Sequence, residues 1–391
     1  MDVCALGIDL GTGSAKVVLL GPRGEQLNMA SAPVQLSAPH PGWIESAPQD
    51  WWLSVKAAVR GALSGASAEV RAVGLSGQMH GVVLARSDGT PLYPAMLSLD
   101  RRAQADLDAY RALPENLFSV LGNPLVPGMA GPLLHWMAAH EPGILQRAEW
   151  ALQPKDWLRL RLVGQAGSEP SDASGTLLFD LAQGNWAVPL VEALGLPKGL
   201  LAPLGTSSAV AGHLGAEAAG ELGLPPGVPV IFGCADTAAA LVGSGLDKPG
   251  PVQLTVGSAA QVVTVRGRPG PDPGLRYHVF ASAQPERWYA LAAVQAAGVA
   301  LSWVLRAFGA TWDEAYQMLA TTPIGANGAL FVPHLAGARS PSMDTAARGA
   351  FSSLELRHDR ADLVRAAFEG VAFSILEAAA VLPEFAGASA V

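Results

Sequence analysis

Near its N-terminus the chain reads Ile8-Asp9-Leu10-Gly11-Thr12-Gly13-Ser14-Ala15-Lys16. An apolar run over residues 3–10 ends in a carboxylate, a tight turn of residues that tolerate positive φ follows, and a second apolar run covers residues 15–20. This pattern predicts a hairpin. Beyond the turn Gly21-Pro22-Arg23-Gly24, residues 27–36 predict a third strand. Trp51, Trp52, Val55, Ala58 and Val59 recur at helical spacing and predict a helix over 48–63, with a buried strand over 72–76 after it. Three antiparallel strands, a helix and a further strand make an α/β domain whose ligand lies at strand ends. The turn has two readings. Its N–H groups and hydroxyls can hold a phosphate, with Asp9 binding Mg²⁺ through water and Lys16 neutralising charge; or it is an ordinary hairpin with a solvated lysine. It is not a Walker A loop, and Lys16 stands where a dinucleotide fingerprint needs its third glycine.

The sequence has 391 residues, half of them apolar and 15% charged, which excludes global disorder and implies at least two domains. A net charge of −8 without a Lys/Arg run argues against a nucleic-acid partner. No uncharged apolar stretch reaches the roughly 18 residues of a membrane span, and Asp2 stands where a signal peptide would carry positive charge. A cytoplasmic protein is expected. Cys4 and Cys234 read as buried thiols, and no histidines sit at zinc spacing. Helices are predicted over 102–111, 132–140 and 156–163, and a strand over 228–233 leads into a helix over 235–242. The Gly/Pro-rich stretch 243–250 reads as a linker between domains spanning 1–245 and 250–391. A second start follows, with strands over 253–256, 261–265 and 288–294, the turn Gly257-Ser258, and a helix over 296–308. The echo predicts two phosphate cradles of one kind facing each other across a cleft.

Gln78-Met79-His80-Gly81 follows the buried strand, between glycines that let a ligand approach the backbone. An amide and an imidazole suit sugar hydroxyls, with the thioether as an apolar wall; the alternative is a core or loop histidine without a ligand. Asp236, in Gly233-Cys234-Ala235-Asp236-Thr237, is either a helix N-cap or a general base for an attacking hydroxyl.

Taken together, Asp9-x-Gly-Thr, Gln78-Met79-His80-Gly81, Gln153-Pro154-Lys155-Asp156-Trp157-Leu158-Arg159-Leu160-Arg161, Ser171-Asp172-Ala173-Ser174-Gly175-Thr176 and Gly233-x-x-Asp236 resemble, in order, the motifs of the FGGY carbohydrate kinases. The resemblance runs to about residue 380. It implies a ribonuclease-H-like (actin-like) two-domain α/β fold that binds a ketose and MgATP and converts D-xylulose to D-xylulose 5-phosphate. It also implies roles: Asp236 as catalytic base; Asp9 supporting Mg²⁺ and phosphate; Gln78, Met79, His80, Asp100 and Asp236 at the sugar; Gly11, Thr12, Gly13, Ser14, Lys16, Gly257 and Ser258 at the nucleotide phosphates. A homodimer is left open by the residues.

Several positions depart from the family pattern. Ser98-Leu99-Asp100-Arg101-Arg102 stands in place of Trp-Asn-Asp-x-Arg, Gly257-Ser258-Ala259-Ala260 in place of Gly-Thr-Ser-Gly, and Gly337-Ala338-Arg339-Ser340-Pro341 in place of Gly-Glu-Arg-x-Pro. Leu133 stands where a lysine is usual. A Cβ at Ala260 is expected to crowd a phosphate or strain the second turn. After a helix over 362–382 the sequence ends before the family's adenine-binding loop, so an incomplete second domain, an open sheet edge and an uncovered apolar helix face are expected, with poor ATP binding. Alternatives are a weak or inactive sugar-binding remnant, or a kinase for gluconate or ribulose.

Overall fold

The computed structural model describes residues 2–66, 68–385 and 389–390. They form two compact units, Met1–Gly245 with Phe280–Arg287, and Leu246–Val279 with Trp288–Val391.

The first unit is built on β1 (Asp2–Leu10), β2 (Ser14–Leu20), β3 (Gln26–Pro33), α1 (Pro48–Leu63) and β4 (Ala68–Gly77). Further along come α2 (Ala130–His140), α3 (Pro154–Val163), β5 (Val210–His213), β6 (Pro229–Ile231), β7 (Cys234–Ala235) and α4 (Asp236–Gly243). The sheet order is β5-β6-β4-β1-β2-β3, with β7 also on β4. β1 runs antiparallel to β2 and parallel to β4. Strand alternation sends Leu6, Ile8 and Leu10 to one face, where they share a core with Trp51, Val55, Ala58 and Val59 of α1. The same alternation turns Gly7 and Asp9 to the opposite face. Trp51 meets Trp157 of α3 edge to face at 6.0 Å, and the Trp157 indole donates to Gly89 O at 2.8 Å.

The helix expected over 102–111 is broken into a single 3₁₀ turn, Arg102–Gln104, and a short α-helix, Leu107–Arg111. The cause is local: Asp100 accepts from the Arg102 N–H at 2.9 Å and draws in the Arg102 guanidinium, and Ala103 leaves helical geometry.

The second unit contains β8 (Pro251–Val256), β9 (Ala260–Arg266), β10 (His278–Ala281), β11 (Trp288–Val294), α5 (Gly298–Ala307), α6 (Trp312–Thr321), α7 (Arg360–Ala380) and β12 (Ser389–Ala390). Of β10, His278 and Val279 belong to this unit. The sheet order is β10-β11-β9-β8-β12. In both sheets the opening strand lies between its antiparallel hairpin partner and a later parallel strand: β1 between β2 and β4 in one, β8 between β9 and β12 in the other. The second start predicted from sequence repeats the first in topology.

Two expectations are corrected here. The edge of β8 is not wholly open, because Pro251 and Val252 pair in parallel with Ser389 and Ala390. Nor does Ala260 strain the turn: it is buried in β9, paired with Val256 and Val294, and its φ is not positive. On α7, Phe373 and Leu376 are exposed. α6 went unread although Thr311 and Glu314 form a reciprocal capping box that the sequence spells as Thr-x-x-Glu. No helix among the described residues is long and apolar enough to cross a membrane.

α7 lies close on the strand Leu330–Val332: a Cβ at Gly370 would stand 2.1 Å from Phe331 O. Replacing a helical glycine by alanine ordinarily stabilises by about 1 kcal/mol. Gly370→Ala is expected to do the reverse, lowering unfolding free energy by about 1–3 kcal/mol in a urea titration.

Candidate active site

The end of β1 places Asp9 beside two strand neighbours, Lys16 on β2 and Ser76 on β4. Ser76 Oγ donates to Asp9 Oδ1 at 2.7 Å, which fixes one carboxylate oxygen and leaves Oδ2 without a hydrogen bond among the described residues. The following turn closes through Gly11 N–H to Ser14 O at 3.0 Å and is tied to β3 by Val34 N–H to Gly13 O at 3.0 Å. Thr12 Oγ1 donates to Gln78 Oε1 at 3.0 Å, and Gln78 N–H donates to Leu10 O at 2.9 Å. The turn and the segment after β4 are therefore one assembly. Buried Gln78 has an Nε2 without a partner among the described residues. Met79 is buried beside it. His80 has φ 77°, a left-handed backbone rare for a residue with a side chain, and its Nδ1 lies 2.8 Å from Gly175 O. The carbonyl can only accept, so Nδ1 carries the proton. Gly175 has to be glycine, since a Cβ there would stand 2.9 Å from that nitrogen.

Asp236 arrives at the same sheet end by a different route. Cys234 and Ala235 pair in parallel with Ser76 and Gly77. Gly233 bends the chain with φ 77°, and a Cβ there would fall 2.2 Å from Leu75 O. Asp236 is the first residue of α4 and Ala235 is the cap, so the N-cap alternative does not describe it. Its Oδ1 accepts from Thr237 N–H at 2.6 Å and Thr237 Oγ1 at 3.2 Å; Oδ2 accepts no hydrogen bond among the described residues. One edge of the side chain is open to solvent, yet protein hems in the rest. That partial burial, with the Asp9 charge adding to it and the Thr237 bonds opposing, pushes the carboxyl up to about 6. Because the edge is open, the shift reflects crowding and not full removal from water.

Asp100, expected at the sugar, is corrected by its surroundings. Its side chain is fully buried. One oxygen accepts from Ile44 N–H at 2.8 Å and from Arg102 Nη2 at 2.7 Å, the other from Arg102 N–H and Nε. The Arg102 guanidinium lies 3.7 Å over the Trp43 ring and pairs with Glu45 at 2.6 Å. Asp100 thus anchors a wall and has no open oxygen for a ligand. In the second unit Gly257 and Ser258 are exposed in the β8–β9 turn, and their carbonyls accept from Gly298 N–H at 2.9 Å and Val299 N–H at 3.1 Å at the start of α5.

A cavity of about 750 Å³ lies on the face of the first sheet that carries Gly7 and Gly74. It shares Asp9, Lys16 and Ser76 with the site, but its other walls include Val18, Leu20, Met29, Ile231 and Val242, and Gln78, His80 and Asp236 do not line it. Such walls do not suit a polyhydroxylated sugar. No group of three or more metal-binding side chains exists among the described residues. The open oxygen on Asp9 at the sheet end fits Mg²⁺, a hard ion commonly held by one or two carboxylates together with water and phosphate oxygens.

The model of the N-terminal domain of the FGGY family of carbohydrate kinases matches residues 4–243, and that of the C-terminal domain matches residues 253–385. The chain belongs to the FGGY carbohydrate kinases. This kinase is similar to the xylulose kinase of Escherichia coli (strain K12), 32% identical over 95% of the chain and 77% of that protein. It is also similar to the glycerol kinase of Citrifermentans bemidjiense, 31% identical over 98% of the chain and 79% of that protein. A crystal structure of a xyloylose kinase from Brucella ovis superposes with a TM-score of 0.92 at 34% identity, covering 98% of this chain and 80% of that one. The two-domain sugar-kinase fold expected from sequence is thereby shown, and ATP is the phosphoryl donor that membership of this kinase family implies.

Sequence reading missed Ser76, Gly175 and Thr237 as the groups that hold Asp9, His80 and Asp236. Gly175 and Thr237 stood inside or beside quoted motifs, but only the fold shows what each touches.

The raised Asp236 carboxyl has a thermodynamic sign. Its ionised form is disfavoured in the folded state, so its contribution to stability is fully present below the usual carboxylate range and is lost as pH rises through about 6. Asp236→Asn is expected to melt higher than the parent at pH 8, the difference shrinking to nothing in acid. Carboxyl ¹³C NMR on the parent is expected to show a midpoint near 6 at this residue.

Proposed function

We propose that this FGGY kinase phosphorylates D-xylulose with ATP to give D-xylulose 5-phosphate and ADP, with Asp236 as the general base. The observation that carries the base assignment is the free Oδ2 of Asp236 on a carboxyl poised near 6, at the same sheet end as Asp9. The xylulose assignment is supported by the Escherichia coli and Brucella ovis relatives. In the reaction a sugar hydroxyl gives its proton to Asp236 Oδ2 as its oxygen forms a bond to the γ-phosphorus, and the bond from that phosphorus to the β-bridging oxygen breaks to release ADP.

Asp9 would hold Mg²⁺ through its open oxygen, directly or through water. Bound there, Mg²⁺ would supply positive charge that offsets the charge on the phosphates. Lys16, opposite Asp9 on β2, adds a cation near the phosphates, and the Gly11–Ser14 turn offers N–H groups and hydroxyls. Met79 and His80 would form the sugar wall, with Gln78 Nε2 as a donor still seeking a partner. In this reading residues 1–245 serve the sugar and residues 250–391, with Gly257 and Ser258, serve the nucleotide.

A coupled ADP-release assay with D-xylulose, D-ribulose, gluconate and glycerol tests the assignment. The highest kcat/KM is expected for D-xylulose; a higher value for any of the others would overturn the substrate reading. Asp236→Asn is expected to lower kcat by about 10²–10⁴. Because the base must be ionised, parent kcat is expected to fall as pH drops through about 6.

A further inference from the structure

Behind Asp236 lies a group of charged side chains sealed from solvent. Lys155, Asp156, Arg159, Glu169 and Asp172 are each 0% exposed. Lys155 Nζ stands 2.6 Å from Asp156, 3.4 Å from Asp172 and 3.5 Å from Glu169. Arg159 reaches Asp156 at 2.9 Å, and Ser168 Oγ donates to Asp156 at 2.6 Å. Burial works against the Lys155 ammonium, but the three carboxylates outweigh it and hold its pKa above the ordinary value. Burial also drives the Asp172 carboxyl well up; Lys155 opposes, while Asp156, Glu169 and Asp236 add to the shift. Two cations, Lys155 and Arg159, thus face three carboxylates out of reach of solvent. Burying ions is weak evidence for stability, because apolar residues of similar volume often serve as well. The cluster therefore calls for another role.

Its outward connections supply one. Arg159 Nη1 donates to Phe232 O at 3.0 Å. Gly233 N–H donates to Ser207 O at 2.9 Å, and Ser207 Oγ donates to Glu169 at 2.8 Å. Ala235 N–H donates to Ser171 Oγ at 2.9 Å, and Ser171 Oγ donates to both Glu169 oxygens at 2.8 Å. The segment from Phe232 to Ala235, the last stretch of chain before Asp236, is thus tethered to the cluster at three residues. The Ser171 link has a fixed sense. An ionised carboxylate only accepts, so Glu169 takes the single hydroxyl proton and leaves a lone pair of Oγ for the Ala235 N–H.

We propose that Ser171, oriented by Glu169, is the positioning residue for Asp236: it fixes the peptide from which the base projects and thereby the place of Oδ2 relative to the reacting hydroxyl. The inference rests on the reading of Asp236 as base. Misplacing a catalytic group by about 1 Å can cost on the order of a hundredfold in rate. The charged and titratable groups that bear on Asp236 are Asp9 on β1, Cys234 on β7 and Asp172 in the turn Pro170–Ala173, with Lys155, Asp156, Arg159 and Glu169 grouped about Asp172. None of them is removed when Ser171 becomes alanine, so any movement of the Asp236 titration reports a change in its placement.

Steady-state ADP-release kinetics as a function of pH test this, with Ser171→Ala, Glu169→Gln, Ser174→Ala and Asp236→Asn compared with the parent. Ser174 is the control: its hydroxyl is equally internal, donating to Ser171 O at 3.1 Å and accepting from Ala281 N–H at 3.0 Å, but it makes no tether to residues 232–235. Ser171→Ala is expected to lower kcat about tenfold or more with KM for sugar and ATP within about twofold. Its acid limb is expected to move below the parent midpoint of about 6 as the loosened carboxylate gains water. Glu169→Gln keeps the volume and loses the fixed proton direction but also removes a charge, so it is read by kcat: a fall of about tenfold or more with KM within about twofold is expected, and it carries the test if Ser171→Ala does not fold. Ser174→Ala is expected to lower Tm while its acid limb stays in place. A parent-like kcat in both Ser171→Ala and Glu169→Gln would overturn the proposal, as would an equal shift of the acid limb in Ser171→Ala and Ser174→Ala. Full activity in Asp236→Asn would instead overturn the base reading itself, which separates the two failures.

Discussion

The parallel pairing of β4 with β1 on one side and β7 on the other is the constraint on which the site depends. Because all three strands run in one direction, their C-terminal ends converge. Asp9 leaves β1, Ser76 and Gln78 leave β4, and Asp236 leaves β7 at one edge of a single sheet. None of these residues is near the others in sequence except Ser76 and Gln78. The hairpin that opens the chain then adds Lys16 opposite Asp9 without any further element.

Glycines make that convergence sterically possible. Gly233 is the clearest case: the chain must pass against Leu75 O, which bars a Cβ, and turn with positive φ in the same step, which makes any side chain costly. Gly175 lets its own carbonyl reach the His80 ring, whose backbone already sits in a region that costs on the order of 1–3 kcal/mol for a residue with a side chain. Strain at His80 and an upward-shifted carboxyl at Asp236 both mark a sheet end arranged for something other than stability.

Much of this was legible in the sequence. The opening hairpin is read from two apolar runs flanking a glycine-rich turn, and α1 from the 3.6-residue recurrence of its buried face. The second sheet's likeness to the first was visible as an order of elements before any contact was known. What could not be read was whether a polar side chain is open or consumed. Asp100 looked like a ligand because it stood in a motif, and it is instead enclosed by Arg102, Ile44 and the Trp43 ring. The 102–111 helix failed for the same reason, since an aspartate two residues upstream competes for the backbone it needs. Pairing across 60 or more residues leaves no local trace.

That same separation bears on how the protein acquires its site in time. Ser76 meets Asp9 across 67 residues, Ser171 meets Ala235 across 64, and Arg159 meets Phe232 across 73. Contacts so distant along the chain close late, after loop-closure entropy has been overcome by the core. The tethers from the buried ions to Phe232, Gly233 and Ala235 form only when β6 and β7 have docked on β4, so a chain still emerging during synthesis has its hairpin and its first helix well before it has a working carboxylate. Competence at Asp236 is therefore one of the last properties of the first unit to appear, and its arrival reports that the unit has closed.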